Sequence, residues 1–292
     1  MKLAGRILSL PLVFLCSTLL VFALARLADP EATGTLLGAY ADWLLRLVRL
    51  DLGTSSRLLP GAPVAEVAAG GLLLSLGLAA AGLAFSTAIA TAFAWRASRR
   101  PDPTGPGAGG VLLLLASAVP AIVIAYLARD VVNPLVAALA ERGAIESPRP
   151  YLVGMGAGPV QYALAALTLG VGDAFLAHLG FTLKDEAARV RARDFVHAAE
   201  LNGGPVARHV AGNLVVPALA TLAARLPALL GGVVVVETAY SLNGAGRVLW
   251  RAALEGDTDV LLAVTVMLTA VVVAVRLLVE VASAAWDPRL AR

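Results

Sequence analysis

Charge is scarce in this chain of 292 residues, in which Asp, Glu, Lys and Arg together make up 15%. A soluble domain usually carries about 25%. Hydrophobic residues reach 59%, and the mean hydropathy is +0.82. Because the deficit of charge extends along the whole length, the composition excludes an ordinary soluble domain and indicates a membrane protein with several spans.

Cysteine and histidine are also scarce. Cys16 is the only cysteine, so an internal disulfide is excluded. The three histidines, His178, His197 and His209, are scattered and lack an accompanying group of cysteines or acids, so no metal site is predicted. The chain contains neither a G-x-x-x-x-G-K-[ST] phosphate loop nor an H-E-x-x-H motif. We therefore predict that the chain is not an enzyme and binds no cofactor itself.

The basic isoelectric point near 9.3 does not indicate a nucleic-acid partner. The formal net charge is only +3, and the basic residues flank apolar segments instead of forming one patch. This arrangement is typical of a protein whose surroundings are the lipid bilayer.

Six apolar segments approach or exceed the roughly 20 residues that a helix needs to cross a bilayer. The predicted spans are residues 7–27, 67–95, 106–128, 156–180, 213–237 and 260–285. The first segment could be a secretory signal peptide, but its apolar stretch exceeds the usual length of about 7–15 residues, and we interpret it as a retained span. The predicted fold is an all-α membrane protein, with residues 1–292 forming a single transmembrane domain.

The distribution of Lys and Arg predicts the orientation, because cytoplasmic loops are enriched in both. Basic residues precede the first span, follow the second, fill the connection between the fourth and fifth, and end the chain. The opposite loops also contain arginines, but acids accompany them there. We expect six spans with both termini in the cytoplasm.

The polar connection between spans four and five has the pattern helix, break, helix. Residues Lys184–Asn202 lack Pro and Gly, which predicts one cytoplasmic amphipathic helix. Gly203 then suits a left-handed C-terminal cap, and Pro205 suits the first turn of a second helix. That helix continues into span five with Pro217 inside it, which removes one backbone hydrogen bond. Residues 184–212 are called the elbow below.

Ionisable residues inside the predicted spans are costly and usually face the interior of a helix bundle. Arg276 and Glu280 are four residues apart on span six, so they share a helix face. Asp173 on span four lies at a similar depth. We interpret these three residues as a buried charge cluster that holds helices together, with a role in a solute path as the alternative.

Several stretches of the chain resemble one branch of the ABC-importer permeases. His197-Ala198-Ala199, followed by Gly203 and by Leu214-x-Val216-Pro217, resembles the EAA loop of these permeases, with histidine in place of the first glutamate. Further stretches are similar to sequences of the oligopeptide/dipeptide/nickel-type branch. They are YADWLLRLVRLDLGTSS (40–56), RDFVHAAELNG (193–203), GGVVVVETAYSLNGAGRVL (231–249) and LLVEVASAAWDPRL (277–290). In this order, the similar blocks extend from about residue 40 to the end of the chain.

This resemblance implies the membrane-spanning translocation subunit of an ATP-driven importer for peptides or a related small solute, in the bacterial inner membrane. It also implies partners: a second homologous permease subunit in a heterodimer, two cytoplasmic ATPase subunits that use ATP and Mg, and an extracytoplasmic solute-binding protein. The alternatives are a stand-alone channel or secondary transporter and, third, a membrane assembly protein without a pore.

The resemblance also assigns candidate residues. The candidates for coupling to the ATPases are Phe195, His197, Ala198, Ala199, Gly203, Gly204 and Pro205. The candidates for the pore or its gate are Pro217, Arg225 and Glu237 on span five, which lines the solute path in the family. For Arg225 the alternative is a buried partner or a snorkelling side chain, and for Glu237 it is capping or pairing with a loop. A shorter connection after the elbow glycine and a shorter first outer loop distinguish this chain from the family pattern and leave the solute class open.

Overall fold

The computed structural model describes residues 2–28, 34–99, 105–145, 152, 158–172 and 174–286. Within these residues the regular structure is helical, apart from one isolated β-bridge between Thr54 and Pro63. The helices are α1 (Lys2–Ala28), α2 (Leu36–Val48), α3 (Val64–Gly70), α4 (Leu72–Ala97), α5 (Gly107–Ser117), α6 (Ala121–Glu141), α7 (Pro159–Val171), α8 (Phe175–Arg191), α9 (Asp194–Leu201), α10 (Val206–Ala239), α11 (Ala245–Glu255) and α12 (Thr258–Trp286). The predicted all-α fold is confirmed for this part of the chain.

Apolar helices of membrane-spanning length are present, as the hydropathy predicts. Four stretches are long and apolar enough to cross a bilayer, namely Val64–Ala97 (α3 with α4), α6, α10 and α12. The pair α7 and α8 makes a fifth candidate, although the two helices are bent by 54°. The apolar part of α1, Pro11–Leu27, and helix α5 are shorter. The chain is therefore a multi-pass membrane protein, while six spans and cytoplasmic termini stay predictions.

The third predicted span, 106–128, is wrong as a continuous helix, because α5 and α6 are separated by Ala118–Pro120. Pro120 causes the break: proline lacks an amide N–H and disfavours helical angles at the preceding residue. Its own backbone is extended, with ψ of 142°. Helix α6 then continues well beyond the predicted end of the span and contains the exposed residues Arg129 and Asp130.

The fourth predicted span, 156–180, is also broken, between α7 and α8. Gly172 at the break is extended, with ψ of 172°. A Cβ placed on Gly172 would lie 2.8 Å from Cα of Ala121, so the close approach of the two backbones requires glycine. The amide of Ala174 donates to the carbonyl of Ser117 at 2.9 Å. The two breaks therefore lie side by side, and each supplies partners for backbone groups that the other leaves free.

The helix predicted over 184–202 is wrong in its continuity. Arg193, between α8 and α9, has an extended backbone with ψ of 141°. No proline or glycine marks this position. The packing explains it: Val190 at the end of α8 and Val196 in α9 are 1% and 2% exposed and lie in one cluster. On a continuous helix, residues six apart are rotated by about 240° from each other, so both could not face that cluster.

The bundle has two chemically different ends. At the end that contains α9, called the elbow end, the indole N–H of Trp286 in α12 donates to the carbonyl of Gly212 at 3.0 Å. The guanidiniums of Arg99 and Arg191 lie against Trp95 at the same end. Helices α2, α3 and α11 pack with the start of α12 at the opposite end. Arg99, just after α4, and Arg191, the last residue of α8, thus meet at the elbow end.

Candidate functional site

The elbow turns at a glycine in the left-handed backbone conformation. Gly203 has φ of +67°. Its amide donates to the carbonyl of Glu200 at 3.0 Å, and the amide of Gly204 donates to the carbonyl of Ala199 at 2.7 Å. These two bonds form the Schellman motif that ends a helix. The predicted left-handed cap is confirmed, and Pro205 lies directly before the first helical residue of α10.

Helix α9 is anchored on one side and exposed elsewhere. Val196 packs into a buried cluster with Ala187, Val190 and Val210. Away from this cluster, Phe195 is 44% exposed and Leu201 is 75% exposed, on two different sides of the helix. Both side chains are therefore accessible for contact with another protein.

The remaining coupling candidates lie near these exposed side chains. His197 and Ala198 are exposed, and Ala199 is half-buried because it faces the turn at Gly204. The ring of Phe195 meets the ring of His209 edge-on, with centroids 6.2 Å apart. Residue Phe195 is therefore held by α10 as well as by α9.

The sequence analysis did not single out two residues of α9 that the structure shows to be important for its packing and exposure. Val196 is its buried anchor, and Leu201 is its most exposed apolar side chain. A single helix predicted over 184–202 placed the face of α9 incorrectly, because the break at residue 193 rotates α9 relative to α8. The short 194–201 stretch, read alone, contains both residues as its only large aliphatic ones.

Helix α10 connects the elbow to the opposite end of the bundle without interruption over 34 residues. Pro217 lies inside it, as predicted, and a second proline, Pro227, lies further along. Each proline removes one hydrogen bond of the helix ladder. The hydroxyl of Thr221 donates to the carbonyl of Pro217 itself at 2.8 Å. The helix is continuous but weakened at two points.

Arg225 lies between these prolines and lines a small cavity. The cavity has a volume of about 30 Å³, room for roughly one water molecule. Its other walls include Gly172 and Phe175, at the break between α7 and α8, and Leu229 of α10. Arg225 is half-buried, and within the described part of the chain its guanidinium forms no hydrogen bond or ion pair. The side chain thus brings a positive charge to the point where the bent helix pair meets α10.

Glu237 is fully buried near the end of α10 and caps the next helix. Its carboxylate accepts hydrogen bonds from the hydroxyl of Ser75 at 2.5 Å and from the amide of Arg247 at 3.0 Å. The hydroxyl of Ser75 in turn accepts from the amide of Ala245 at 2.8 Å. A carboxylate at the first turn of α11 satisfies free amides and complements the helix dipole. The geometry corresponds to the capping alternative for this residue.

The predicted charge cluster lies only partly in the described structure. Asp173 is outside the described residues. Arg276 and Glu280 are both half-buried on α12, and no ion pair joins them in the described part of the chain. One carboxylate oxygen of Glu280, Oε2, is buried there without a hydrogen-bond partner. The cluster stays a prediction.

A second buried carboxylate, which the sequence analysis did not single out, organises the end opposite the elbow. Asp257 is fully buried, and its Oδ2 accepts from the hydroxyl of Ser55 at 2.6 Å. The amides of Ser56, Arg57 and Leu58 donate to the same oxygen at 3.0–3.1 Å. Burial by itself would raise the pKa of Asp257, but these hydrogen bonds outweigh burial and hold the pKa below its usual range. Asp257 therefore fastens the loop before α3 to the start of α12.

Replacing Asp257 by asparagine should destabilise the protein at neutral pH by about 3 kcal/mol, because an amide offers one acceptor where the carboxylate satisfies several buried donors. Since the pKa is lower in the folded state, the carboxylate stabilises the fold above its ordinary pKa, and that stability is lost as the pH falls through the folded pKa. The check is thermal unfolding of the detergent-solubilised protein from pH 7 to pH 3. The exposed residue Asp42 supplies the control, Asp42→Asn. Equal unfolding temperatures for both variants would contradict the assignment.

A model of the family described as "Binding-protein-dependent transport system inner membrane component" matches residues 87–292. The chain is 28% identical over 131 residues to the oligopeptide transport system permease protein of Bacillus subtilis, covering 44% of this chain and 41% of that protein. It is 23% identical over 136 residues to the dipeptide transport system permease protein of the same organism, covering 45% of this chain and 44% of the relative.

A third relative is the "Probable peptide ABC transporter permease protein" of Sinorhizobium fredii, 26% identical over 142 residues, with 47% of this chain and 45% of the relative covered. The chain thus spans less than half the length of the curated relatives it matches. The family model covers the elbow, α10 with Arg225 and Glu237, and α12, which is well over half of the chain. This multi-pass inner-membrane protein therefore belongs to the family of binding-protein-dependent transport system inner membrane components.

Proposed function

We propose that the chain is the translocation subunit of an ATP-driven importer and that α9 receives the motion of partner ATPase subunits. The observation that supports this most is the construction of the elbow. Exposed apolar side chains on α9 lie directly before α10, a continuous helix of 34 residues. Such a helix extends about 51 Å, further than the bilayer core of about 30 Å. One continuous helix thus joins α9 to the interior of the bundle.

The contacts of α9 connect it mechanically to α10. Val196 of α9 and Val210 of α10 are 2% and 0% exposed in the same cluster, so the two helices move together. The Schellman bonds at Gly203 fix the angle between them. A displacement of α9 therefore tilts α10, and Pro217 and Pro227 mark the points where α10 bends most easily.

The solute that we propose is a peptide or a related small molecule. The named relatives are permeases for peptides, oligopeptides and dipeptides. Arg225 suits such a solute, because its guanidinium is unpaired in the described structure and lies beside the bend of α7 and α8. A guanidinium binds a carboxylate through two parallel hydrogen bonds. Glu237, by contrast, is buried and hydrogen-bonded at the start of α11. We therefore propose that it supports the structure around the solute path and does not contact the solute.

The proposed assembly contains a second permease subunit, two ATPase subunits that use ATP and Mg, and a solute-binding protein at the end opposite the elbow. In this arrangement the elbow end faces the cytoplasm, six spans cross the inner membrane, and both termini are cytoplasmic. The meeting of Arg99 and Arg191 at the elbow end supports this orientation.

The test is transport by the reconstituted assembly in proteoliposomes, with a labelled mixture of di- and tripeptides as the probe. We expect accumulation that requires ATP and the binding protein, and ATP hydrolysis that rises when the loaded binding protein is added. Accumulation should persist when an ionophore removes the ion gradients. Uptake that needs an ion gradient but no ATPase subunits would favour a secondary transporter, and flux that only equilibrates the peptide would favour a channel.

A further inference from the structure

We propose that the elbow end carries a binding site for an anionic phospholipid, with the lipid phosphate between Arg99 and Arg191 and an acyl chain in a groove along α4. The site is independent of the transported solute. It rests on three features that meet at Trp95: an apolar groove, a pair of guanidiniums and a buried contact with the elbow helix α9.

The groove runs along the outer side of α4. It has a volume of about 720 Å³ and ends at Trp95. Its walls are Leu83, Ala84, Thr87, Ala88, Thr91 and Ala92. Ala84, Ala88 and Ala92 recur at intervals of four residues and are exposed, so one side of α4 presents a shallow channel with few projecting side chains. A hydrocarbon chain fits such a channel, but the groove alone does not select one kind of lipid.

The charges at the end of the groove supply that selection. The guanidinium carbon of Arg99 lies 4.3 Å from the centroid of the Trp95 ring, and that of Arg191 lies 4.8 Å from it. Two like charges therefore share one indole. Within the described residues neither guanidinium forms an ion pair with a carboxylate, although the charge of Glu200 reaches Arg191. An anion between the two arginines would relieve their mutual repulsion.

The hydrogen-bonding capacity of the arginines is also incompletely used. Nε of Arg191 donates to the hydroxyl of Ser98 at 3.2 Å, which orients the guanidinium. Its Nη2 is buried and has no partner in the described structure. Arg99 is exposed and available to the same ligand. A phosphate diester presents several acceptor oxygens that two guanidiniums can bind together.

A membrane lipid fits these features better than a free anion. Tryptophan is enriched at the membrane–water interface, and basic residues beside it attract anionic headgroups. Free phosphate would use the arginines but leave the apolar groove without an occupant. A lipid uses both, since its chain continues from the phosphate into the bilayer.

The proposed lipid site lies next to the surface on which α9 packs. Trp95 packs on the cluster that contains Val196 of α9 and Val210 of α10. A lipid bound by the two arginines that contact Trp95 therefore stabilises the surface on which α9 is anchored. The composition of the inner leaflet would then influence how firmly the elbow is held.

The experiment measures binding of phosphatidylglycerol and of phosphatidylcholine to the delipidated permease pair by native mass spectrometry. We expect the wild type to prefer phosphatidylglycerol. The exposed residue Arg99 gives a variant, Arg99→Gln, that should not affect folding, and the double variant adds Arg191→Gln. Each arginine removed should weaken phosphatidylglycerol binding by about fivefold and leave phosphatidylcholine binding unchanged. The matched control is Arg193→Gln with Arg208→Gln, which removes the same charge from exposed positions at the same end.

A second variant tests the groove without changing charge. Ala88→Phe should weaken phosphatidylglycerol binding, because the ring occupies the path of the acyl chain. Inorganic phosphate should not compete at equal concentration. The proposal is overturned if wild-type binding shows no preference for the anionic lipid, or if the control pair loses as much affinity as the Arg99 and Arg191 variants. It is also overturned if Ala88→Phe leaves lipid binding intact, if phosphate alone competes, or if Ala88→Phe separates the two permease subunits, which would make the groove a subunit interface.

Discussion

Replacing Gly203 by leucine is expected to abolish ATP hydrolysis stimulated by the loaded binding protein while the permease remains inserted in the membrane. Nothing lies within 4 Å of a Cβ placed on Gly203, so the substitution meets no steric obstacle from neighbours. The cost arises in the backbone: φ of +67° disfavours a leucine by roughly 1–2 kcal/mol. The Schellman turn should relax, and α9 should lose its fixed angle to α10. Because contact with the ATPases depends on that angle, a modest local cost should give a large loss of coupling.

The matched control is Gly203→Asn, since asparagine tolerates the left-handed conformation better than leucine. A second variant, Ala198→Glu, changes the exposed side of α9 without straining the turn. It should also weaken docking, because it places a charge in the proposed apolar contact. Co-purification of the ATPase subunits and stimulated ATP hydrolysis are measured in parallel. Normal docking and normal transport in both Gly203→Leu and Ala198→Glu would contradict the role of the elbow in coupling.

Replacing Gly244 by alanine is expected to remove most of the folded permease from the membrane. A Cβ at this position would overlap the carboxylate of Glu237, which is fully buried and bonded to Ser75 and Arg247. The carboxylate must then move, which leaves the start of α11 uncapped and a buried acceptor unsatisfied. We expect a loss of about 3 kcal/mol or more, a large part of a typical free energy of unfolding of 5–15 kcal/mol.

The measurement is the yield of monodisperse protein by size-exclusion chromatography and its unfolding temperature in detergent. Gly231→Ala is the control, because nothing lies within 4 Å of a Cβ there and alanine favours the helix. The variant Glu237→Gln distinguishes a framework role, in which Glu237 caps α11, from a role in the gate of the solute path. The amide keeps the shape of the side chain but loses one acceptor. A fall in yield with Glu237→Gln supports the framework role. Full yield with loss of transport would instead support the gate for which Glu237 is a sequence-based candidate.

The turn at Gly203 depends on local sequence, whereas the role of Glu237 depends on distant residues. The left-handed turn at Gly203 was predictable, because backbone conformation depends on the residue itself and its nearest neighbours. The membrane class was predictable for a similar reason, since hydropathy accumulates along one stretch of chain. The family resemblance extended from about residue 40 to the end of the chain because its motifs are local as well. The capping role of Glu237 was one of two alternatives, since its partner Ser75 lies 162 positions away.

Three breaks were not predicted from the sequence. They lie in the third predicted span, in the fourth predicted span and between α8 and α9. Pro120 is present in the sequence of the third predicted span. Hydropathy, however, counts apolar residues and does not detect a break in the helix. The break at Arg193 has no local signal at all, because it arises from the need to bury Val190 and Val196 on one surface. Asp257 is a further example, since Ser55, whose hydroxyl it binds, lies 202 positions away.

By itself, then, the sequence determined the helical membrane class, the turn of the elbow and the family to which the chain belongs. The tertiary structure decided where the helices bend, which carboxylates cap distant segments, and which arginines contact Trp95. The physical reason is the range of the forces involved. Hydropathy and backbone preference act within a few residues, whereas burial, capping and charge placement depend on which distant segments pack together.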